Sequence, residues 1–198
     1  MNIDRTDEEL MLAVREGDIG QLGILFRRYH LRLFDFFCRM GSSKPLAEDL
    51  VQDVFFRILQ YRSSFRDDSP FVSWIYQIAR NVRFQHFKKQ TALAAAEDAT
   101  VNVPHAAAPG GDFERYEEDL ALRCALVKLP EDKRELLVLV WYQEMKYDDI
   151  AELLGIQAGA VKVRVHRAVK ELREIYLKES NGKTLCNVKK SETSSRIT

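Results

Sequence analysis

Long apolar runs are missing from this sequence. No uncharged apolar stretch reaches the roughly 18 residues a membrane helix needs, so membrane insertion is not expected. The opening residues, Met1 to Leu10, are acidic and hold no apolar segment, so no secretory leader is expected. Cysteine is scarce. Cys38, Cys124 and Cys186 are odd in number, widely spaced and contain no Cys-x-x-Cys pair. That excludes a disulfide framework and fits a reducing cytoplasm. The histidines His30, His86, His105 and His166 are scattered, with no cysteine at metal-ligand spacing, so neither a metal nor a cofactor is expected. Gly-x-Gly-x-x-Gly, a phosphate-binding lysine loop and His-Glu-x-x-His are all absent, and catalysis is not expected. Net charge is lacking too: 30 Lys+Arg balance 30 Asp+Glu over 198 residues.

That balance dissolves when the charge is mapped. Residues 1–90 hold 14 basic and 12 acidic residues, 91–119 hold one and seven, and 120–198 hold 15 and 11. No acid lies between Ala79 and Ala96, where Arg80, Arg83, Lys88 and Lys89 fall. From Lys162 to Lys178, six basic residues face only Glu171 and Glu174. Such clusters are the footprint of phosphate binding, although a solvated helix face has the same composition.

Apolar spacing reads as helix throughout. Thr6 and Glu9 form a capping box for a first helix that stops near Gly17. Leu22, Leu25, Phe26, Tyr29, Leu33, Phe36, Phe37 and Met40 line a second, ending at Gly41. Ser43 and Pro45 introduce a third, and Ser69-Pro70 starts a fourth that runs to about Lys89. Residues 91–113 are rich in small residues with two prolines and a Gly-Gly, a linker composition. A second block follows: a helix to Leu129, a restart at Pro130, a buried stretch from Leu136 to Trp141, a short helix Tyr147–Leu154, then Gly155 and a longer helix ending near Lys178. The last 20 residues carry no apolar period and read as a disordered tail. The expected fold is all-α: an N-terminal helical bundle and a C-terminal helix-turn-helix joined by a flexible linker. Its expected bounds are 1–90, 91–117 for the linker, 118–178, and 179–198 for the tail.

Three constellations stand out. In residues 148–162 a small Ala151, the turn residue Gly155 and the anchors Ile156 and Val161 have the grammar of a helix-turn-helix. Val161, Val165, Ala168, Val169, Leu172 and Tyr176 share one face of its second helix; Gly159, Val163, His166, Arg167 and Lys170 share the other, with Lys162 and Arg164 on the flanks. That suits base contact with a phosphate-gripping rim, or else a plain hairpin with a solvated basic face. Residues 26–87 hold 14 of the 20 aromatics. Phe26, Tyr29 and Phe55 sit at core spacing, whereas Tyr61 and Phe65 fall outside it beside Arg62 and Arg66. A ring in a basic loop can stack single-stranded bases, or it can fold back onto the core. Finally, Leu50, Val51, Val54 and Phe55 face inward. Asp49, Gln52, Asp53, Phe56 and Arg57 therefore form an outer face suited to a protein partner, although single exposed aromatics are common.

In order along the chain, these motifs resemble the extracytoplasmic-function (ECF) subfamily of RNA polymerase sigma factors. Residues 64–81, SFRDDSPFVSWIYQIARN, resemble its promoter-melting region, and 49–55, DLVQDVF, its polymerase-binding helix. Leu129-Pro130, Tyr147–Ala151 and Val161–Ala168 resemble its C-terminal helix-turn-helix. The resemblance implies a factor that brings core RNA polymerase to promoter DNA. It implies that Asp49, Gln52, Asp53, Phe56 and Arg57 dock on the β′ clamp helices, while the second domain lies at the β flap. Phe65, Arg66 and Asn81, with Arg80, Arg83, Lys88 and Lys89, would capture the −10 strand. Trp74 would pack beneath that loop. Gln157, Ala160, Lys162, Val163, Arg164, His166, Arg167 and Lys170 would read the −35 element. An anti-sigma partner is a further implication. The alternative is a stand-alone helix-turn-helix regulator of duplex DNA.

The chain departs from the family pattern in places. Gln157 and Ala160 stand where the recognition helix usually has serine and threonine, and a lost N-cap costs about 1 kcal/mol. Val163 replaces a commonly polar position facing DNA, and Lys146 replaces a capping serine. The segment after Lys178, with Cys186, exceeds the minimal family architecture.

Overall fold

Thr6 and Glu9 start the first helix reciprocally. Thr6 Oγ1 accepts the Glu9 amide at 3.2 Å, and Glu9 Oε2 accepts the Thr6 amide at 2.9 Å. This computed structural model describes residues 5–97 and 113–193, with side chains over 5–91 and 121–178. The described residues form helices and no strand: α1 (Asp7–Arg15), α2 (Leu22–Arg39), α3 (Lys44–Tyr61), α4 (Phe71–Glu97), α5 (Phe113–Lys128), α6 (Glu131–Leu137), α7 (Tyr147–Leu154) and α8 (Ala158–Thr193). The α1–α4 unit buries Leu10, Leu25, Phe36, Ile58, Phe71 and Ile75 in one aromatic-rich core.

The start of α4 differs from the Ser69 cap that the sequence suggests. Pro70 holds the position before the helix and its carbonyl accepts the Trp74 amide, while the Phe71 amide donates to Glu8 Oε1 at 2.9 Å. A carboxylate from α1 therefore caps α4, satisfying a free amide and meeting the positive end of the helix dipole. Replacing Glu8 with alanine is expected to lower stability by about 1 kcal/mol, read as a lower urea midpoint with unchanged slope.

Both predicted ends of the linker shift. No glycine or proline follows Lys89 until Pro104, so nothing stops α4, and its backbone stays helical to Glu97. With α5 beginning at Phe113, the 91–117 segment overlaps two helices, and residues 98–112 lie outside the described residues. Likewise α8 runs to Thr193 rather than Lys178, because no proline breaks it. Of the predicted tail, residues 194–198 and the side chain of Cys186 lie outside the described residues.

Two tyrosines are locked in the first unit. Tyr29 donates to Asp7 Oδ2 at 2.5 Å, and Tyr76 donates to Gln143 Oε1 at 2.5 Å. Burial pushes both phenols above their ordinary 10.0; the bond to Asp7 adds to the rise at Tyr29, and Arg32 opposes it at Tyr76. In the unfolded chain both ionise first, so their contribution is complete below pH 10 and is lost as pH rises above it. Wild type is expected to lose stability between pH 9 and 11 more steeply than the Tyr29→Phe, Tyr76→Phe variant, by urea titration.

In the second unit α6 passes into a π-helical turn, Val138–Tyr142, closed by the Gln143 amide on the Val138 carbonyl at 3.1 Å. The predicted buried stretch holds through Leu139, but the wide turn leaves Trp141 exposed and sends Gln143 inward. Gly155 ends α7 at φ +64°, a left-handed stop that favours glycine, and the Ile156 amide returns to the Ala151 carbonyl.

Candidate polymerase and nucleic-acid interfaces

The outer side of α3 follows directly from its inner side. Leu50, Val51, Val54, Phe55 and Ile58 are buried, which turns Asp49, Gln52 and Phe56 outward. Phe56 is 66% exposed, a large ring left open to solvent among the described residues. Arg57 Nε reaches Asp53 Oδ1 at 3.1 Å, an i,i+4 pair that holds both side chains along the same face. Phe26, expected in the core, is instead exposed, because its neighbour Phe55 fills the interior. It meets the Phe55 ring edge-on at 4.9 Å and stacks on His30 at 4.9 Å, so α2 extends the aromatic surface beside α3.

The loop before α4 corrects one expectation. Phe65 is 1% exposed and packs edge-on against Trp74 at 5.2 Å and Phe71 at 6.1 Å. A ring so enclosed cannot present a face to a base; it pins the loop to the core, with Trp74 half-buried beside it as expected. Arg15 adds a second anchor by donating to the Phe65 carbonyl at 2.9 Å and to Asp67 Oδ1 at 2.5 Å. Arg66 stays exposed in a two-pronged pair with Asp68, at 3.0 and 2.9 Å.

Along α4 the exposed side chains Gln77, Asn81, Phe84 and Lys88 follow one another by four, three and four residues, a single stripe opposite the buried Ile75, Ile78 and Val82. Lys89 is exposed beside it. Phe84 is 66% exposed among amides and cations. Sequence periodicity missed it because a lone aromatic within a helix reads as core; its offset from the Ile78–Val82 face was the available signal. Arg80 and Arg83 are not free. Arg80 donates to Glu135 Oε1 at 2.8 Å and to the Leu153 carbonyl at 3.3 Å, and Arg83 pairs with Glu131.

The second unit carries the other basic face. Val161, Val165, Ala168 and Leu172 are buried against α5–α7, so Lys162, Val163, Arg164, His166, Arg167 and Lys170 are exposed. Ala160 is half-buried, and Gln157 is exposed with its carbonyl accepting the Ala160 and Val161 amides. Lys146 makes no side-chain cap to α7, consistent with the loss of a hydroxyl there. A cleft between the units, bordered by Asp7, Glu8, Asp67, Asp68, Glu144 and Asp149 against Arg32 and Lys146, has the wrong sign for phosphate. Among the described residues no cluster of His, Cys, Asp or Glu could hold a metal, and no helix is long and apolar enough to cross a membrane.

Comparison with known proteins agrees with this arrangement. Residues 25–92 match Sigma-70 region 2, and 119–172 match Sigma-70, region 4. The chain is 32% identical to RNA polymerase sigma factor CarQ of Myxococcus xanthus, over 83% of this chain and 94% of that one. It is 31% identical to ECF RNA polymerase sigma factor EcfG of Rhodopseudomonas palustris, over 67% and 72%. Among solved structures it resembles sigma factor RpoE in complex with the anti-sigma factor NepR from Bartonella quintana, with a TM-score of 0.66 and 26% identity, covering 77% of this chain and 94% of that one. Two helical units in this order, with region 2 and region 4 matches on the units that carry the exposed α3, α4 and α8 faces, place the chain in the ECF subfamily of RNA polymerase sigma factors.

Proposed function

We propose that this sigma factor docks on the β′ clamp helices of core RNA polymerase through Asp49, Gln52, Asp53, Phe56 and Arg57. The observation that carries this is the exposed Phe56 ring framed by polar side chains on the outer face of α3, an aromatic anchor with a polar rim. Phe26 and His30 widen the same face. Arg66, Asn81, Lys88 and Lys89, with Phe84 added and Phe65 acting only as support, contact the −10 strand. A cationic path with a free ring is what unpaired bases stack upon. Arg80 and Arg83 join once released from their carboxylate partners. The second unit lies at the β flap and offers Gln157, Ala160, Lys162, Val163, Arg164, His166, Arg167 and Lys170 to the −35 major groove. The likeness to an anti-sigma-bound RpoE supports an anti-sigma partner for this chain too. A stand-alone regulator would use α8 but leaves the exposed α3 face without a purpose.

The functional test is strand opening on a promoter carrying a fluorescent base in the −10 element. Opening should require core polymerase, and Phe84→Ala should reduce it about tenfold, since one base–aromatic stack is worth about 1–3 kcal/mol. Opening without polymerase would contradict the assignment. Val163, 50% exposed on the outer side of α8, is placed to meet thymine methyls. Val163→Ser is therefore expected to reorder the preference among −35 variants in run-off transcription; the same ranking would remove Val163 from the readout.

A further inference from the structure

A single helix grips both ends of the loop that leads into α4. Glu8 and Arg15 stand seven residues apart on α1, two turns and about 10.5 Å along the same face. Met11, between them on that face, is fully buried and seats α1 on the core. Glu8 Oε1 accepts the Phe71 amide at 2.9 Å, where the loop ends. Arg15 Nη1 donates to the Phe65 carbonyl at 2.9 Å and to Asp67 Oδ1 at 2.5 Å, where it begins. The helix is itself tied to α2, because Asp7 accepts Tyr29 Oη at 2.5 Å and Arg28 Nη1 at 2.6 Å. The match to Sigma-70 region 2 covers residues 25–92 and leaves α1 outside it.

What α1 holds in this way is exposed and polar. Arg66, Asp67 and Asp68 all face solvent, and the Ser69 amide closes a turn on the Arg66 carbonyl at 3.2 Å. Phe65 anchors the loop from below, but one buried ring at one end does not fix the direction of the tip. Hydrogen bonds from a guanidinium are stronger than those between neutral groups. Arg15 makes two from one nitrogen, so it fixes the main chain at Phe65 and the side chain at Asp67 together. The tip lies just ahead of the exposed stripe Gln77, Asn81, Phe84 and Lys88 on α4. Its direction therefore sets whether Arg66 continues that stripe as one path. A loop already ordered spares its ligand the cost of ordering it.

We propose that α1 is a clasp that holds the 65–71 loop ready for the −10 strand, with Arg15 as its positioning residue. Arg15 acts through the Phe65 carbonyl and Asp67 and not by touching DNA. The clasp rests on the assignment of Arg66 and the α4 stripe to that strand. It also gives Asp67 a role that runs against its charge. A carboxylate beside a phosphate path opposes binding by Coulomb repulsion, yet here it is the handle by which Arg15 orients the loop.

The test uses the full chain, first alone and then with core polymerase on the promoter carrying a fluorescent −10 base. Without DNA, amide hydrogen exchange across residues 65–71 should be about tenfold faster in Arg15→Ala than in wild type. Arg15→Lys, which keeps a charged donor, should restore most of the protection. On the promoter, Arg15→Ala should reduce strand opening about tenfold and Asp67→Ala about threefold, with affinity for core polymerase unchanged. Opening is compared where urea titration shows each variant to be folded. Charge alone predicts the opposite sign for Asp67→Ala, since it takes an acid away from a phosphate path. Unchanged exchange in Arg15→Ala, opening at the wild-type level while Phe84→Ala still lowers it, or opening that rises in Asp67→Ala would overturn the clasp and leave the −10 assignment standing. If exchange quickens but neither Arg15→Ala nor Phe84→Ala alters opening, the −10 assignment fails and the role of the clasp falls with it.

Discussion

Phe56→Ala should weaken binding to core polymerase roughly 30-fold while leaving the fold intact. The two halves of that expectation have one cause. Phe56 is among the most exposed large apolar side chains of the described residues, so folding gains almost nothing from it and its removal leaves no cavity. Stability should stay within about 0.5 kcal/mol of wild type. In a complex the same ring would be desolvated at the centre of the α3 face, where aromatic anchors are worth about 2 kcal/mol or more, which is the 30-fold stated. Titration of fluorescent core polymerase against both proteins reads the first number, and urea unfolding reads the second. A loss of stability with unchanged polymerase affinity would mean that Phe56 serves the fold and that the docking face lies elsewhere.

Phe65→Ala should do the reverse, destabilising the first unit by about 3–5 kcal/mol. Its ring is enclosed by Phe71 and Trp74, and its own carbonyl is held by Arg15. Truncation opens a cavity beneath the loop and releases the segment that leads into α4. Phe65→Leu, which retains most of the volume, should recover more than half of the loss. If Phe65 were instead a stacking platform for DNA, both variants would unfold like wild type and fail equally in strand opening. Urea midpoints separate the two readings without any DNA present.

Much of this molecule could be read from residue order because its signals are local. The Thr6–Glu9 capping box, the Gly155 stop, the Tyr147–Leu154 helix and the buried Val161–Val165–Ala168–Leu172 stripe each depend on neighbours within a few positions. What escaped depends on distant partners. No periodicity says that Glu8 caps α4, that Phe55 displaces Phe26 from the interior, or that the loop around Phe65 closes over Trp74. The same holds for Arg80 and Arg83: a basic cluster announces that they bind negative charge, but not that the charge in this structure belongs to Glu135 and Glu131. Neutral net charge hid the basic clusters, and the tertiary fold shows that part of the balance is spent between the units.

The most direct measurement is run-off transcription from a genomic promoter library with purified core polymerase, scored with and without this chain. The expected result is a discrete set of transcripts that appears only when chain and core are combined, falls with Phe56→Ala and weakens with Phe84→Ala. No promoter used in the presence of core, together with tight binding of the chain alone to duplex sites, would contradict it and return the molecule to the class of stand-alone helix-turn-helix regulators.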